Sequence, residues 1–328
     1  MKLGIYKKQK LGTIAINMYT VNSSWGGSNV FVQQFAGMLK RYGYRVKFNL
    51  NGKVDIILLI DPRHDLQHKA FGIEEIIQYK RRNNEVRILH RINECDQRKG
   101  TDFMDDLLRK ANEIADYTVF ISEWLRNYFA DKWFDTNLPH QVIYNGADPK
   151  IFHPIGGSIW NRNKPIRVVT HHWSYNPMKG FPIYQQLDDM INSGQITDCE
   201  FWVIGQWPKD MNWRSSMAIP PAHGQKLANL LRQCHLYLTA SLWEPCGMHH
   251  VEGAQCGLPL VYHADGGGIV EAGKKYGVIF RHDLKRALQA ARDDYASLRK
   301  KLFENMPSGD IMTMEYLKVV QRLMVNMV

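Results

Sequence analysis

The sequence predicts an α/β protein made of two successive parallel-sheet domains facing each other across a cleft. Three observations carry this. Short apolar runs of strand length alternate with stretches of helical periodicity, the βα rhythm of a mostly parallel sheet. A length of 328 residues suits about two domains, each able to bury its own core. A stretch rich in Gly, Asn, Ser and charge, 156–164, interrupts the rhythm near the middle of the chain. The expected division is 1–155 and 156–310, with a helical tail over 311–328.

In the first half, 11–19 reads as the opening strand, followed by a turn-rich loop over 22–28. Val30, Phe31, Phe35, Met38 and Leu39 then recur at helical spacing within 29–42, with Lys40 and Arg41 in the last turn and Gly43 as the stop. Strands follow at 44–49, 54–60, 86–92, 117–121 and 141–144, and helices at 73–82, 105–115 and 123–133. The second half repeats the pattern: strands at 166–170, 200–204, 236–240 and 260–263; helices at 181–192, 225–233, 249–255, 284–306 and 311–324. In open sheets of this kind a ligand binds at the carboxyl ends of the strands.

Composition is that of an ordinary globular chain, 45 % apolar and 23 % charged. Five cysteines form no C-x-x-C pair, which speaks for buried thiols rather than a disulfide framework or zinc site. No run approaches the ~18 apolar residues of a transmembrane helix, and the opening residues lack the pattern of a signal peptide. A cytoplasmic protein is expected. The net charge of +10 is spread in clusters at 7–10, 40–47, 80–82 and 98–99. No nucleic-acid-binding signature accompanies it, so solvated surface is the plain reading.

The strongest local signal runs from Ser241 to Pro259. Glu244 lies in a strand-to-helix turn with Pro245 and Gly247, and Glu252 lies in the helix that follows. A helix N-terminus there would offer amides and a positive dipole end to an anion. Two carboxylates beside it would accept hydrogen bonds from vicinal hydroxyls of a sugar or ribose. The bland alternative is that both are solvated acids at a helix start.

At this point the sequence resembles the retaining GT-B glycosyltransferases, in particular glycosyltransferase family 4. That family's Glu-x7-Glu segment and the Gly-rich turn after it are matched from Glu244 to Glu271, with Gly257, Pro259, Gly266 and Gly267 in place. Trp25-Gly26-Gly27 resembles its glycine loop. Residues 119–122, and 142–148 with Phe152 and Pro154, resemble two further strand-end segments. Lys179-Gly180 resembles its donor loop. The resemblance implies the GT-B fold, two Rossmann-like domains with a terminal helix crossing back to the first. It also implies sugar transfer from a nucleotide-sugar donor.

Residue by residue, the resemblance gives Glu244 the hydroxyls of the transferred sugar, Glu252 the ribose, and Lys179 the diphosphate. Amides around Gly247, Met248 and His249 would hold the donor, and Gly26 and Gly27 would admit close backbone approach. His90 resembles a histidine placed near the sugar; Arg91 and Asn93 share its strand end. One departure stands out. No Arg lies between Thr170 and Lys179, where the family carries a second diphosphate ligand. Either His171 or His172 substitutes for it, another basic residue reaches in, or donor binding is organised differently.

No Asp-x-Asp pair, G-x-G-x-x-G or Walker lysine loop is present, so neither metal nor nicotinamide cofactor is expected. The loop 217–224 is the candidate base contact. A glycan or lipid-linked acceptor is expected on the first domain. There Lys40, Arg41, Arg45 and Lys47 flank an amphipathic helix able to rest on an anionic membrane. Competing readings are a nucleotide-sugar binding protein without catalysis, a sugar phosphorylase or epimerase, and a basic nucleic-acid-binding protein.

Overall fold

A computed structural model of the chain describes residues 11–21, 26–63 and 68–325. The Lys7, Lys8 and Lys10 cluster and Trp25 of the glycine loop lie outside them.

The first domain contains β1 (Thr13–Ile16), α1 (Gly27–Arg41), β2 (Arg45–Lys47), β3 (Ile56–Leu59), α2 (Ile73–Arg82) and β4 (Arg87–Ile92). It continues with α3 (Asp96–Lys99), α4 (Met104–Asn112), β5 (Tyr117–Phe120), α5 (Glu123–Ala130) and β6 (His140–Val142). Its six strands are all parallel, in the order β2-β1-β3-β4-β5-β6. The apolar quartet Ile56–Leu59 is buried on both faces, as a central parallel strand covered by helices on either side requires.

The second domain contains β7 (Ile166–His172), a 3-10 turn (Pro177–Lys179), α6 (Phe181–Asn192), β8 (Cys199–Gly205), β9 (Met217–Ile219), α7 (Gly224–Leu231) and β10 (Leu236–Thr239). After these come α8 (Met248–Gln255), β11 (Leu260–His263), α9 (Ile269–Tyr276), β12 (Gly277–Phe280), α10 (Leu284–Asp293) and α11 (Tyr295–Glu304). This sheet is also parallel throughout, ordered β12-β11-β10-β7-β8-β9. Counted from β7 as first strand, that is the 3-2-1-4-5-6 order of a dinucleotide-binding sheet. Its switch point lies between β7 and β10; in the first domain it lies between β1 and β3.

The last helix, α12 (Gly309–Val325), returns to the first domain. Met312, Tyr316, Leu317, Val319, Val320 and Leu323 join Phe31, Phe35 and Leu39 of α1 and the strands in one core. At roughly 1.5–3 kcal/mol for each large apolar side chain buried, this contact is strong enough to hold the helix there. It consumes the apolar face of α1, whose Phe31, Phe35, Met38 and Leu39 are buried. A contact of this region with an anionic membrane would therefore rest on the basic residues Lys40, Arg41, Arg45 and Lys47 rather than on that face. No helix among the described residues is long and apolar enough to cross a membrane.

The observed elements differ from expectation mainly at edges. The opening strand stops at Ile16 because Asn17 turns inward. Its Oδ1 accepts from the Ile60 amide and its Nδ2 donates to the Asp61 carbonyl, each at 2.8 Å. Strands β9 and β12 and helix α9 were not foreseen. β9 and β12 are sheet edges of three and four residues, too short to stand out as periodic runs. The helical stretch 284–306 breaks in two at Asp294.

Candidate active site

The two switch points face each other across a cleft of about 650 Å³, lined from one side by Asn17, Gly26, Gly27, Arg91, Asn93 and Asn145. The opposite wall carries His171, His172, Lys179, Glu244, Gly247, Met248 and His249.

Glu244 leaves the end of β10 in a turn held by unusual backbone. Trp243 sits at φ 47°, and Gly267 at φ 66° lies against the Glu244 amide, where an added Cβ would fall 2.9 Å from the nitrogen. The Gly268 amide donates to the Glu244 carbonyl at 2.9 Å. This fixes the carboxylate between two cations. Arg98 Nη2 is 2.5 Å and Lys179 Nζ 2.9 Å from Glu244 Oε2. Burial alone would push the Glu244 carboxyl up, but the Arg98 and Lys179 charges outweigh it and hold it at about 2. Burial lowers Lys179 in turn, with Glu244 working against the loss of its charge.

Arg98 is the residue that sequence reasoning overlooked, noting it only as part of a charge cluster. It comes from the first domain, on a four-residue helix closed by Gly100 in the left-handed conformation, and is 4 % exposed. Asp96 and Asp105 brace that turn by exchanging backbone hydrogen bonds, the Asp96 carboxylate accepting from the Met104 and Asp105 amides. Arg98 also donates to the Leu242 carbonyl at 3.3 Å. Arg98 thus reaches across the seam from the first domain and shares Glu244 with Lys179. The only signal available was position, just beyond the carboxyl end of β4.

Glu252 lies in α8 behind the wall, its Oε2 2.9 Å from His171 Nε2. Because Nε2–H donates to the carboxylate, Nδ1 is left as acceptor for the Tyr237 hydroxyl at 3.0 Å. His172 Nε2 is 2.9 Å from both Thr170 Oγ1 and the Tyr184 hydroxyl, and its Nδ1 has no partner. Burial, helped by the Lys179 charge, drives His172 well below its usual range, so it is a neutral ring and no replacement for an arginine. His249, 3.1 Å from Thr239 Oγ1, is likewise pushed well below by burial.

His90, Glu252 and the loop 217–224 are not part of the cleft lining. His90 is absent from its lining: the ring is fully buried, with Nδ1 donating to Asn112 Oδ1 at 2.9 Å. Adjacent strand residues point to opposite faces, so Arg91 and not His90 meets the cleft. The loop 217–224 forms β9 and the start of α7 at the far sheet edge, and none of it lines the cleft. Trp173, Ser174 and Gln206 line that side instead.

The buried neutral histidines have a measurable consequence. Burial holds His90 and His250 at about 4. In the unfolded chain each takes up its proton near 6.5, so the unfolded state binds protons first. Their contribution is complete above pH 6.5 and is lost as pH falls toward 4. Urea unfolding at pH 7.5 and 5 is expected to show a loss on the order of 1–2 kcal/mol per histidine at the lower pH; His90→Asn should lessen the difference.

Glu244, Lys179 and the helix opening at Gly247 thus meet on one wall of the cleft. Residues 219–306 match the sequence model of the family described as glycosyl transferases group 1. That segment, which holds Glu244 and Glu252, is similar to those glycosyl transferases. Among solved structures, the chain is similar to sucrose-phosphate synthase from Thermosynechococcus elongatus, at 14 % identity and a TM-score of 0.68 over 96 % of this chain and 100 % of that one. It is similar to Anabaena HepE in complex with UDP-glucose, at 13 % identity and TM-score 0.65 over 95 % and 100 %. The catalytic domain of starch synthase IV from Arabidopsis thaliana, bound to ADP and acarbose, matches at 12 % and 0.62 over 96 % and 100 %. At such identities the likeness establishes the shared two-domain GT-B fold. No curated protein matches the sequence significantly.

Proposed function

We propose that this chain is a glycosyltransferase that moves a sugar from a nucleoside diphosphate sugar to a hydroxyl of a glycan, lipid-linked or other acceptor, with retention of anomeric configuration and without a metal ion. The observation that carries the reading is Glu244. A carboxyl held at about 2 is a permanent acceptor for sugar hydroxyls at neutral pH and has no proton to give a leaving group. The charge growing on the departing diphosphate must therefore be met electrostatically, by Lys179 and the amides opening α8 at Gly247 and Met248. Retention follows if the departing phosphate accepts the proton of the acceptor hydroxyl on the same face. Glu252, held by His171 behind the cleft wall, is the residue we read as the partner of the ribose hydroxyls. The solved neighbours hold UDP-glucose or ADP.

A thermal-shift screen against UDP, GDP, ADP and their sugar conjugates tests this first. Ligand at about 100 times its dissociation constant stabilises the native state by roughly 2.7 kcal/mol. One nucleotide is expected to raise the midpoint, and Glu252→Gln to weaken it about tenfold or more, the loss of a charged hydrogen bond. Absence of any shift would count against the reading. With a donor in hand, product NMR reads the anomeric configuration, and activity that persists in EDTA checks metal independence.

A further inference from the structure

A second cavity, of about 570 Å³, opens between the segment joining the two domains and helix α11, and it shares no lining residue with the cleft. Ile159 and Trp160 of its lining lie just before β7. Gly257, where an added Cβ would fall 3.7 Å from the Phe303 ring at the other end of the cavity, lies just before β11. The cavity therefore sits at the amino ends of the second sheet's strands, whereas the cleft lies at their carboxyl ends.

Its lining is of two kinds. The nearly buried rings of Trp160 and Tyr295 pack edge to face, 5.8 Å between centres, and form an apolar floor. At the rim Ile159 is 66 % and Phe303 42 % exposed. Beside them Arg162, Arg299 and Lys300 bring three cations against the single carboxylate of Glu304. Arg162 is partly engaged, donating to the Asp293 carbonyl at 3.1 Å. The Arg299 guanidinium lies 4.7 Å from the centre of the Phe303 ring. Among the described residues neither Arg299 nor Lys300 is held by a carboxylate, that of Glu304 included.

Large apolar side chains left exposed around a concavity of this size mark a ligand surface. The sign of the ligand is set by the unanswered cations, since a guanidinium stacked on a ring keeps its N–H fork for an anion. A bare inorganic anion would leave the aromatic floor unused, and a neutral hydrocarbon would leave the cations unanswered. An amphiphile with an acidic head satisfies both.

We propose that this cavity binds a single-chain amphiphilic anion from solution, its apolar chain laid over Ile159, Trp160 and Phe303 and its phosphate or carboxylate on Arg299 and Lys300. The site stands apart from the transferase reading and holds or fails without it.

Calorimetric titration of decanoate and decyl phosphate, each below its micelle threshold, tests this against decanol and inorganic phosphate. Both amphiphilic anions are expected to bind the wild-type protein at least tenfold more tightly than either control. The double variant Arg299→Gln/Lys300→Gln should weaken them at least tenfold and leave decanol unchanged. It breaks no ion pair and should melt with the wild type; if it melts lower, Lys300→Gln alone, at an exposed position, decides in its place. Ile159→Ser should weaken both amphiphiles and leave inorganic phosphate unchanged. Decanol binding as tightly as decanoate, phosphate as tightly as decyl phosphate, equal binding in the variants, or no binding at all would each overturn the proposal. Co-sedimentation with phosphatidylcholine vesicles, with and without phosphatidylglycerol, separates a dissolved ligand from a bilayer. No sedimentation, or sedimentation that Ile159→Ser leaves unchanged, is expected; sedimentation abolished by Ile159→Ser would give the surface to a bilayer and overturn the proposal.

Discussion

Replacing Glu244 by Gln is expected to lower kcat/KM by about 10³-fold, the scale on which a preorganised polar contact to a reacting group acts. The substitution is close to isosteric, so it removes charge and leaves shape. It also leaves Arg98 and Lys179, both now without their shared anion, facing each other in a buried place. Breaking a buried ion pair from one side costs about 3–5 kcal/mol. The Gln variant should therefore melt well below wild type, and nucleotide should recover part of the loss if the diphosphate takes up Lys179. Glu244→Asp keeps the charge one methylene short and should fall between the two in both readouts. Activity of Glu244→Gln within tenfold of wild type would remove Glu244 from the reacting centre.

Arg98→Met is expected to give the second-largest effect, a fall of about 10²-fold in kcat/KM, carried mostly by kcat. Arg98 is the one cation on Glu244 that originates in the other domain, so its contact exists only when the cleft is closed. Other bonds across the same seam do not reach the reacting centre. Glu271 of α9 accepts from the Glu123 and Trp124 amides at the start of α5, and Asn145 donates to the Cys246 carbonyl. Loss of Arg98 should leave Glu244 with Lys179 alone and weaken the coupling between closure and site assembly. Nucleotide affinity, measured by calorimetry, should change less than kcat. Arg98→Lys restores the charge without the two-point contact to Glu244 and Leu242 and should recover only part of the rate. Equal losses of kcat and nucleotide affinity would mark Arg98 as a donor ligand rather than a residue that positions Glu244.

The fold was legible because it depends on local periodicity. Parallel strands buried on both faces, such as Ile56–Leu59, are continuous apolar runs, and helices such as Phe181–Asn192 carry an apolar stripe; neither needs a distant partner to be seen. The second domain's side of the cleft was equally open to reading. Lys179, Glu244 and Gly247 lie in strand-to-helix turns of one sheet, and their roles were proposed from the resemblance of segments contiguous in sequence. His90 shows the limit of that method. It is one residue from Arg91 on β4, and only the pleat of the assembled sheet turns one into the core and the other into the cleft.

By itself, then, the sequence determined the two parallel-sheet domains, a short-range pattern imposed by secondary structure, while the returning helix and the pair of glutamates were read from the family resemblance. The tertiary structure alone decided which cation completes Glu244 and that His172 is neutral. Those outcomes depend on charge separation and desolvation across a cleft. Arg98 and Glu244 stand 146 residues apart in the chain yet 2.5 Å apart in space, and no local pattern encodes such a distance.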